Sequence, residues 1–238
     1  MMDSLGLCYL EDPEVRAAGR DSGWYQWSKR WFDLVLSLVV SLLLMIPILL
    51  VALVIVLKDP GNPLYVQKRV GKDGKDIHIL KLRSMKRGAD DLENMLTPEQ
   101  LVEYHREYKL RDDPRLIGYR RAGDGSRCFG AILRRTSIDE LPQIVYNVCL
   151  RGDMSLVGPR PVLREELEVN YTPAQRRAVL SVKPGLTGYW QAYARNNATY
   201  ETGQRQSMEL YYIQHRCWRL DLKILLQTVV SVIKGTGA

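Results

Sequence analysis

The feature that most constrains this chain is an uncharged apolar run from Leu34 to Leu57. A helix needs roughly 20 apolar residues to cross the core of a bilayer, and this run is long enough. It starts too late and is too long for a cleaved signal peptide, and no small-residue cleavage site follows it. The run therefore predicts a membrane element within a chain of 238 residues, a length that suits one domain with a sizeable core.

The residues on either side of the run indicate how it could meet a membrane. Aromatic residues cluster between positions 24 and 32 together with Lys29 and Arg30, a composition typical of an interfacial anchor. Lys58 follows the run, so both ends are positively charged and neither end is marked as the inner one. Pro47, near the middle, predicts a kink or break. A helix that enters and leaves by one face and an ordinary kinked spanning helix both fit these residues.

The net charge of +7 narrows the range of partners. Beside a membrane element, anionic headgroups and phosphate-rich small substrates suit a basic surface better than nucleic acid does. No zinc-finger spacing, helix-turn-helix pattern or RNP aromatic motif stands out, so nucleic acid is not an expected partner. The four cysteines lie far apart without a C-x-x-C pair, which favours reduced thiols over disulfides or a zinc site.

Local signals predict an α+β fold that is mainly helical. Alternating apolar segments flank K-D-G-K (72–75), a strong turn signal, so residues 64–83 predict a β-hairpin. Thr97 and Gln100 have the pattern of a capping box that opens a polar helix ending near Leu110. Apolar periodicity and Gly/Pro content predict helices over 141–150 and 162–180, and loops over 111–130, 152–161 and 183–188. The stretch 208–234 is amphipathic, which suits either a membrane surface or a core helix.

The most suggestive chemical segment is R-R-T-S-I-D-E-L-P-Q (134–143). Pro142 predicts a helix that starts near Asp139, where backbone N–H groups keep a carboxylate ionised and attract phosphate. An ionised aspartate is a competent nucleophile toward phosphorus, and Glu140 could hold Mg²⁺. Arg134 could bind the same phosphates. The structural alternative is a capping box formed by Ser137 and Glu140.

Two further segments could bind a substrate. In R-G-D-M-S-L-V-G-P-R-P-V (151–162), two prolines would order Arg160 for bidentate phosphate contact. In K-P-G-L-T-G-Y-W-Q-A-Y-A-R-N (183–196), aromatic rings accompany Gln191 and Arg195, a set that could stack a base or sugar and bind phosphate. The structural alternatives are a turn with a surface arginine and a core aromatic cluster. No H-E-x-x-H pair, Walker loop or G-x-S-x-G elbow offers another chemistry.

The order of these segments resembles the bacterial sugar transferase family, the small monotopic phosphoglycosyl transferases. The resemblance runs from Lys29 to the C-terminus. It rests on K-R-W-F-D, the proline-containing apolar segment, L-K-L-R-S-M, D-D-P-R, L-R-R-T-S-I-D-E-L-P-Q, G-D-M-S-L-V-G-P-R-P, K-P-G-L-T-G-Y-W-Q and Y-Y-I…L-D-L-K-I-L-L. The polar insert at 86–113 resembles the exopolysaccharide and O-antigen initiating branch of the family.

The resemblance implies a specific reaction. Asp139 would attack the β-phosphate of a UDP-sugar, expel UMP and carry a covalent sugar phosphate, which undecaprenyl phosphate would then accept. Glu140 would help to hold Mg²⁺, and Arg134 would hold phosphate. The remaining substrate-binding candidates on matching motif positions are Arg83, Arg160, Gln191 and Arg195. Galactose or glucose is the favoured sugar.

The resemblance also implies an architecture. Residues 1–28 would form an N-terminal interfacial segment, residues 29–58 a re-entrant membrane helix, and residues 59–238 a catalytic domain on the cytoplasmic face of the bacterial inner membrane. Ile46 departs from the family pattern, which often has serine before the helix-breaking proline, so Ser37 or Ser41 could support the break instead. The oligomeric state stays open, with a homodimer among the assemblies considered.

Two other functions fit parts of the sequence. A non-catalytic membrane scaffold of a polysaccharide assembly complex would use Asp139 and Glu140 only for folding. A lipid or nucleotide diphosphate hydrolase would use the same aspartyl intermediate with water as the acceptor. The number of matching motifs in one order favours the transferase over both.

Overall fold

The computed structural model describes residues 23–108, 110–121, 123, 127–194 and 199–233. The chain divides into two compact units. The first unit contains residues 23–33, Arg69–Ile77 and Asp153–Thr228, and the second contains Leu34–Lys68, His78–Gly152 and residues 229–233. The fold is mainly helical, as predicted. The predicted domain boundaries at 28 and 58 stay a prediction.

The longest element is helix α1, Gly23–Lys58, which is long and apolar enough to cross a membrane. Only 6% of its most apolar window is buried, unlike the core helix of a soluble protein. The helix is continuous through Pro47, so the predicted break is not found, and the alternative of a kink there stays a prediction. The hydroxyls of Ser37 and Ser41 do donate to backbone carbonyls, at 3.1 and 2.5 Å. Their acceptors, Leu34 and Ser37, lie before the carbonyl that Pro47 leaves unpaired.

The part of α1 after Pro47 has one buried stripe, which packs in the core of the second unit. Ile55 is fully buried there against Leu82, Ile117 and Leu133. Residues at helical spacing before it pack on the same cluster, namely Ile48, Val51 and Ala52. Burial of one such aliphatic side chain stabilises a fold by about 1.5–3 kcal/mol, so this stripe fixes the end of α1.

The predicted hairpin is present as strands β1, Leu64–Val70, and β2, Asp76–Leu82. Its loop lies at the predicted K-D-G-K segment. Lys72–Gly74 forms a 3-10 turn, and the N–H of Gly71 donates to the carbonyl of Lys75 at 2.8 Å. Asp73 and Gly74 adopt positive φ, of 58° and 73°, so the predicted turn is confirmed.

The insert after β2 begins with two helices, α2, Leu92–Met95, and α3, Pro98–Glu107. The predicted capping box between Thr97 and Gln100 is confirmed. Helix α3 ends three residues earlier than expected, because Tyr108 is left-handed with φ 54°. The described residues between 111 and 127 form no helix or strand, as predicted. Three elements follow in the second unit: helix α4, Phe129–Arg135, a 3-10 turn, Ile138–Glu140, and a π-helical segment, Ile144–Arg151.

The first unit contains a parallel pair of short strands that the sequence did not predict. These are β3, Ser155–Val157, and β4, Gly185–Thr187, with Ser155 opposite Gly185. Both lie in segments predicted as loops from their Gly and Pro content. The glycines are what permits the pairing, since a Cβ on Gly185 would lie 2.0 Å from the nitrogen of Gly158.

The single helix predicted over 162–180 is two helices. Helix α5, Arg164–Asn170, ends before Tyr171, which is extended. Helix α6, Pro173–Leu180, begins with a proline in its first turn and a capping box between Thr172 and Gln175. A proline in a helix interior would remove a hydrogen bond, so the chain restarts there instead.

Helices α7, Tyr189–Tyr193, α8, Gln204–His215, and α9, Trp218–Ile233, complete the chain. The amphipathic stretch 208–234 is therefore interrupted after His215. Helix α8 is a core helix of the first unit, because Met208, Tyr212 and Ile213 are fully buried. Helix α9 carries an exposed apolar stripe, and its most exposed member is Leu226, at 70% exposure.

Candidate active site

Asp139 and Glu140 lie in the 3-10 turn between helix α4 and the segment that begins at Pro142. Ser137, just before the turn, is left-handed with φ 57°, and this reverses the chain so that the turn packs against α4. The side chain of Asp139 is 8% exposed, whereas that of Glu140 is more open. The helix start predicted near Asp139 is thus a tight turn that leads into a helix.

The structural alternative, a capping box formed by Ser137 and Glu140, is wrong. Ser137 makes no side-chain cap hydrogen bond to the turn. A capping serine ordinarily has an extended backbone, whereas the backbone of Ser137 is left-handed. The acidic pair is therefore not explained by capping.

Lys81 pairs with Glu140, a contact that the sequence reasoning missed. The Nζ of Lys81 lies 3.4 Å from Oε1 of Glu140, and both side chains are largely buried. Strand β2 positions Lys81 because Asn147 accepts from the N–H of Leu80 and donates to the carbonyl of His78. Lys81 lies in L-K-L-R-S-M, two residues before the candidate Arg83, so the motif was a usable signal.

Arg134, at the end of α4, faces the buried carboxylate of Asp113. Its Nη1 lies 3.9 Å from Oδ2 of Asp113, while its side chain keeps 26% exposure. Arg115 holds the same carboxylate with two side-chain hydrogen bonds of 2.8 and 2.7 Å. Burial lowers the pKa of Arg115, but the hydrogen bond to Asp113, the charge of Asp113 and the contact with Tyr104 together outweigh burial and raise it. The structure therefore places Arg134 on α4 and Asp139 and Glu140 on the turn packed against α4, all in the second unit. The two buried charges next to Arg134 are those of Asp113 and Arg115.

Arg83 has a structural environment of its own. It forms an ion pair with Asp59 and donates to the carbonyls of Asp59 and Asn62, just after α1 ends. These contacts occupy the guanidinium and hold the chain after the last turn of α1. Its role as a substrate ligand stays a prediction.

The remaining described candidates, Arg160 and Gln191, lie in the first unit. The guanidinium of Arg160 is 5.5 Å from the centre of the Trp190 ring, which also meets Arg205 at 4.2 Å. The amide of Gln191 donates to the carbonyl of Leu186 at 3.2 Å, and among the described residues its Oε1 has no hydrogen-bond donor. The predicted ligand Arg195 lies outside the described residues.

Glu166 organises the charges around Trp190. It accepts from Tyr200 and lies 3.0 Å from Arg205 and 3.3 Å from Arg69. Burial raises the pKa of Glu166, but the two arginines outweigh burial and hold it below its ordinary value. The ionised carboxylate of Glu166 holds Arg205 against Trp190, the ring that Arg160 also contacts. No sequence pattern marks Glu166, since it lies in an acidic first turn of a kind common in helices.

The carboxylate of Glu140 is the candidate protein ligand for Mg²⁺. Within the described ranges, no three His, Cys, Asp or Glu side chains form a group that could hold a metal ion. Mg²⁺ usually takes only one or two carboxylates and completes its shell with water and substrate phosphates. Asp139 and Glu140 are adjacent carboxylates, and Glu140 already faces a cation, Lys81. Glu140 could therefore supply one carboxylate to a metal shared with a phosphate substrate, a metal that would compete with Lys81 for that carboxylate.

Comparison with known proteins places the sequence in a family. The model of the bacterial sugar transferase family matches residues 24–235. This chain belongs to that family. The match contains α1, the Asp139–Glu140 turn and the Arg160 loop, so both sets of candidate residues lie within the family's common region.

Three relatives indicate what family members do. The UDP-galactose-lipid carrier transferase of Erwinia amylovora is 40% identical over 220 residues, which are 88% of this chain and 41% of that protein. The undecaprenyl-phosphate galactose phosphotransferase of Salmonella typhimurium is 36% identical, again over 88% of this chain and 41% of that protein. The exopolysaccharide production protein ExoY of Rhizobium meliloti is 36% identical, over 95% of this chain and 93% of that protein. The chain thus spans about two fifths of the first two relatives and nearly all of the third.

Proposed function

We propose that this chain transfers a sugar 1-phosphate from a UDP-sugar to undecaprenyl phosphate at the cytoplasmic face of the bacterial inner membrane, as a first membrane step of exopolysaccharide or O-antigen-type synthesis. The observation that carries the proposal is the buried Asp139 beside Glu140–Lys81 and Arg134–Asp113 in a member of the bacterial sugar transferase family. The names of two relatives favour galactose as the sugar.

The reaction has two displacements at one phosphorus atom. An oxygen of Asp139 attacks the β-phosphorus of the donor, the bond from that phosphorus to the bridging oxygen breaks, and UMP leaves with the bond's electron pair. An oxygen of undecaprenyl phosphate then attacks the same phosphorus, and the Asp139 carboxylate leaves. Phosphoryl transfer depends mainly on positioning and on neutralising oxygen charge, which is the role of Arg134 and Lys81.

Mg²⁺ is the proposed metal, and Glu140 would hold it. When bound, it would neutralise charge on the phosphate oxygens. Arg160, Arg195 and Gln191 stay candidates for the nucleotide or acceptor, and Arg83 is a weaker candidate because its donors are occupied.

Contacts of α1 support a re-entrant arrangement. Tyr25 and Lys29, near the start of α1, bind Asp221 at 2.7 and 2.8 Å, and Asp33 accepts from Ser155 at 2.7 Å. Among the described residues, no helix after α1 is long and apolar enough to carry the chain back across a bilayer. The start of α1 therefore belongs on the same side of the membrane as residues 153–228 of the same unit, which is what a re-entrant arrangement requires.

The test is the mass of the intact protein after brief incubation with Mg²⁺ and UDP-galactose or UDP-glucose, without lipid. We expect a hexose-phosphate adduct on the unchanged protein and none on Asp139→Asn. Asp73→Asn is the matched control, because Asp73 is exposed and asparagine tolerates its positive φ equally well. Adding undecaprenyl phosphate should discharge the adduct.

The other outcomes separate the rival functions. Loss of the adduct in buffer, with release of free sugar phosphate and no need for lipid, would indicate a hydrolase. No adduct with any donor in folded protein would favour a scaffold and count against Asp139 as a nucleophile.

A further inference from the structure

The D-D-P-R segment contains a buried ion pair between Asp113 and Arg115, and neither residue is among the candidate substrate ligands. Asp113 and Arg115 are each 3% exposed. Arg115 donates to Oδ1 of Asp113 from its backbone N–H and from Nε, and to Oδ2 from Nη2. A fork-on-carboxylate contact of this kind fixes the geometry of both groups. The carboxylate of Asp113 is therefore held in one orientation.

Arg134 also faces the carboxylate of Asp113, but at a longer distance, and its guanidinium stays partly exposed. Oδ2 of Asp113 receives Arg115 at 2.7 Å and lies 3.9 Å from Arg134. This is the one ion pair that Arg134 makes within the described part of the chain. Two guanidinium groups share one carboxylate, so the set keeps one net positive charge. That charge resides on Arg134, the more exposed of the two.

Helix α3 of the insert holds this segment by one face. Gln100 donates to the carbonyl of Asp112 at 3.4 Å, and Glu103 accepts from the N–H of Arg111 at 3.0 Å. The ring of Tyr104 lies 4.9 Å from the guanidinium carbon of Arg115. Positions i, i+3 and i+4 share one side of a helix, so these three contacts form a single docking stripe.

We infer that Asp113 is a positioning residue that orients Arg134 toward the phosphates of the donor, and that helix α3 of the insert holds Asp113 in place through Arg115. This rests on the proposed function. Asp113 touches no reacting atom. It restricts where the cation of Arg134 can lie, and a preorganised cation stabilises phosphate charge without the cost of ordering it on binding.

The test measures binding of UDP by calorimetry, so that it does not depend on turnover. Asp113→Asn keeps the shape of the side chain and removes its charge, and we expect about tenfold weaker binding of UDP, the loss that corresponds to roughly 1.4 kcal/mol. Because Asp113→Asn leaves Arg115 buried without a counter-charge, the double variant Asp113→Asn, Arg115→Met is measured as well. It replaces the buried pair as a unit and should fold.

The Asp113 variants are also measured in protein that carries Arg134→Gln, which distinguishes an effect through Arg134 from a general structural effect. If Asp113 acts through Arg134, the Asp113 variants should change the affinity for UDP by less than about twofold in that background. Tyr104→Leu should weaken binding in the unchanged background, and Val102→Ala, on the exposed face of α3, should not.

Two results would overturn the inference: unchanged UDP affinity in both folded Asp113 variants, or the same tenfold loss with and without Arg134. Binding of UDP without any adduct would end the proposal of covalent transfer and leave this inference standing. No binding of UDP to the unchanged protein would overturn both.

Discussion

Two buried glutamates of the first unit differ in how they respond to protons. Glu166 lies between arginines that keep it ionised. Glu209 is also buried, and Tyr171 donates to its Oε2 at 2.8 Å, while its Oε1 has no donor among the described residues. Burial raises the pKa of Glu209, and the charge of Arg205 only partly opposes it. The difference lies in partners, since Glu166 has two close cations.

Replacing Glu209 should therefore stabilise the protein in a pH-dependent way. When the pKa of a carboxyl is higher in the folded protein than in the unfolded chain, its contribution to stability is fully present below the unfolded pKa. That contribution is lost as the pH rises through the folded pKa. With an ordinary value of 4.5, we expect Glu209→Gln to have little effect below that pH and to raise the midpoint of thermal unfolding increasingly above it. A pH series of unfolding midpoints checks this.

The control is Glu168→Gln on the exposed side of α5. Its midpoint should follow that of the unchanged protein at every pH. A constant difference for Glu209→Gln across the series would show that shape, and not ionisation, is responsible. Glu166→Gln should behave oppositely, since a lowered pKa gives stability above 4.5 that is lost as pH falls through the folded value.

At the scale of elements, the parallel pair β3–β4 depends on the close approach of two backbones. The N–H of Gly158 donates to the carbonyl of Thr187 at 2.9 Å, and the N–H of Gly185 donates to the carbonyl of Pro159 at 2.9 Å. Any Cβ at Gly158 or Gly185 would lie within 2.6 Å of backbone atoms. Backbone cannot rotate aside as a side chain can, so the pairing tolerates only glycine there.

We expect Gly185→Ala to destabilise the first unit by about 3 kcal/mol, the upper end of the cost of overpacking. The unfolding midpoint of detergent-solubilised protein is the measurement. Gly23→Ala is the matched control, because a Cβ at Gly23, the first residue of α1, meets nothing within 4 Å. A Gly185→Ala variant as stable as the control would contradict the account of β3–β4.

At the scale of the whole molecule, the path of α1 decides where the chain meets the membrane. At about 1.5 Å per residue, a helix of 36 residues is about 54 Å long, more than the roughly 30 Å of a bilayer core. Its first turns and its last turns pack in the cores of different units, through Tyr25 and Ile55. The exposed apolar stretch between them is the part available to lipid.

A cysteine at Gly23 should be inaccessible from outside the cell if α1 is re-entrant. In a chain whose native cysteines are replaced, Gly23→Cys should react with an impermeant maleimide only after lysis. A chain that retains Cys217 alone, an exposed thiol in the first unit, serves as the cytoplasmic marker. Labelling of Gly23→Cys in intact cells, with Cys217 protected, would establish a spanning helix instead.

Signals between near neighbours determined much of this protein. The apolar run, the hairpin and the capping box at Thr97 could all be predicted, because each depends on residues within one turn or one strand. The break at Pro173 was equally local, so missing it was an error of interpretation. The family's motif order added the expected chemistry.

Tertiary structure alone decided which distant residues meet. The contacts of Glu140 with Lys81 and of Arg134 with Asp113 join positions 59 and 21 residues apart. Lys81 and Asp113 lie in quoted motifs, L-K-L-R-S-M and D-D-P-R, but neither motif indicates which distant residue its charge meets, and Glu166 has no local pattern that distinguishes it from a solvated surface charge. Their roles arise from burial, since a charge removed from water is stable only beside a partner, and which partner is available depends on how the chain folds back on itself.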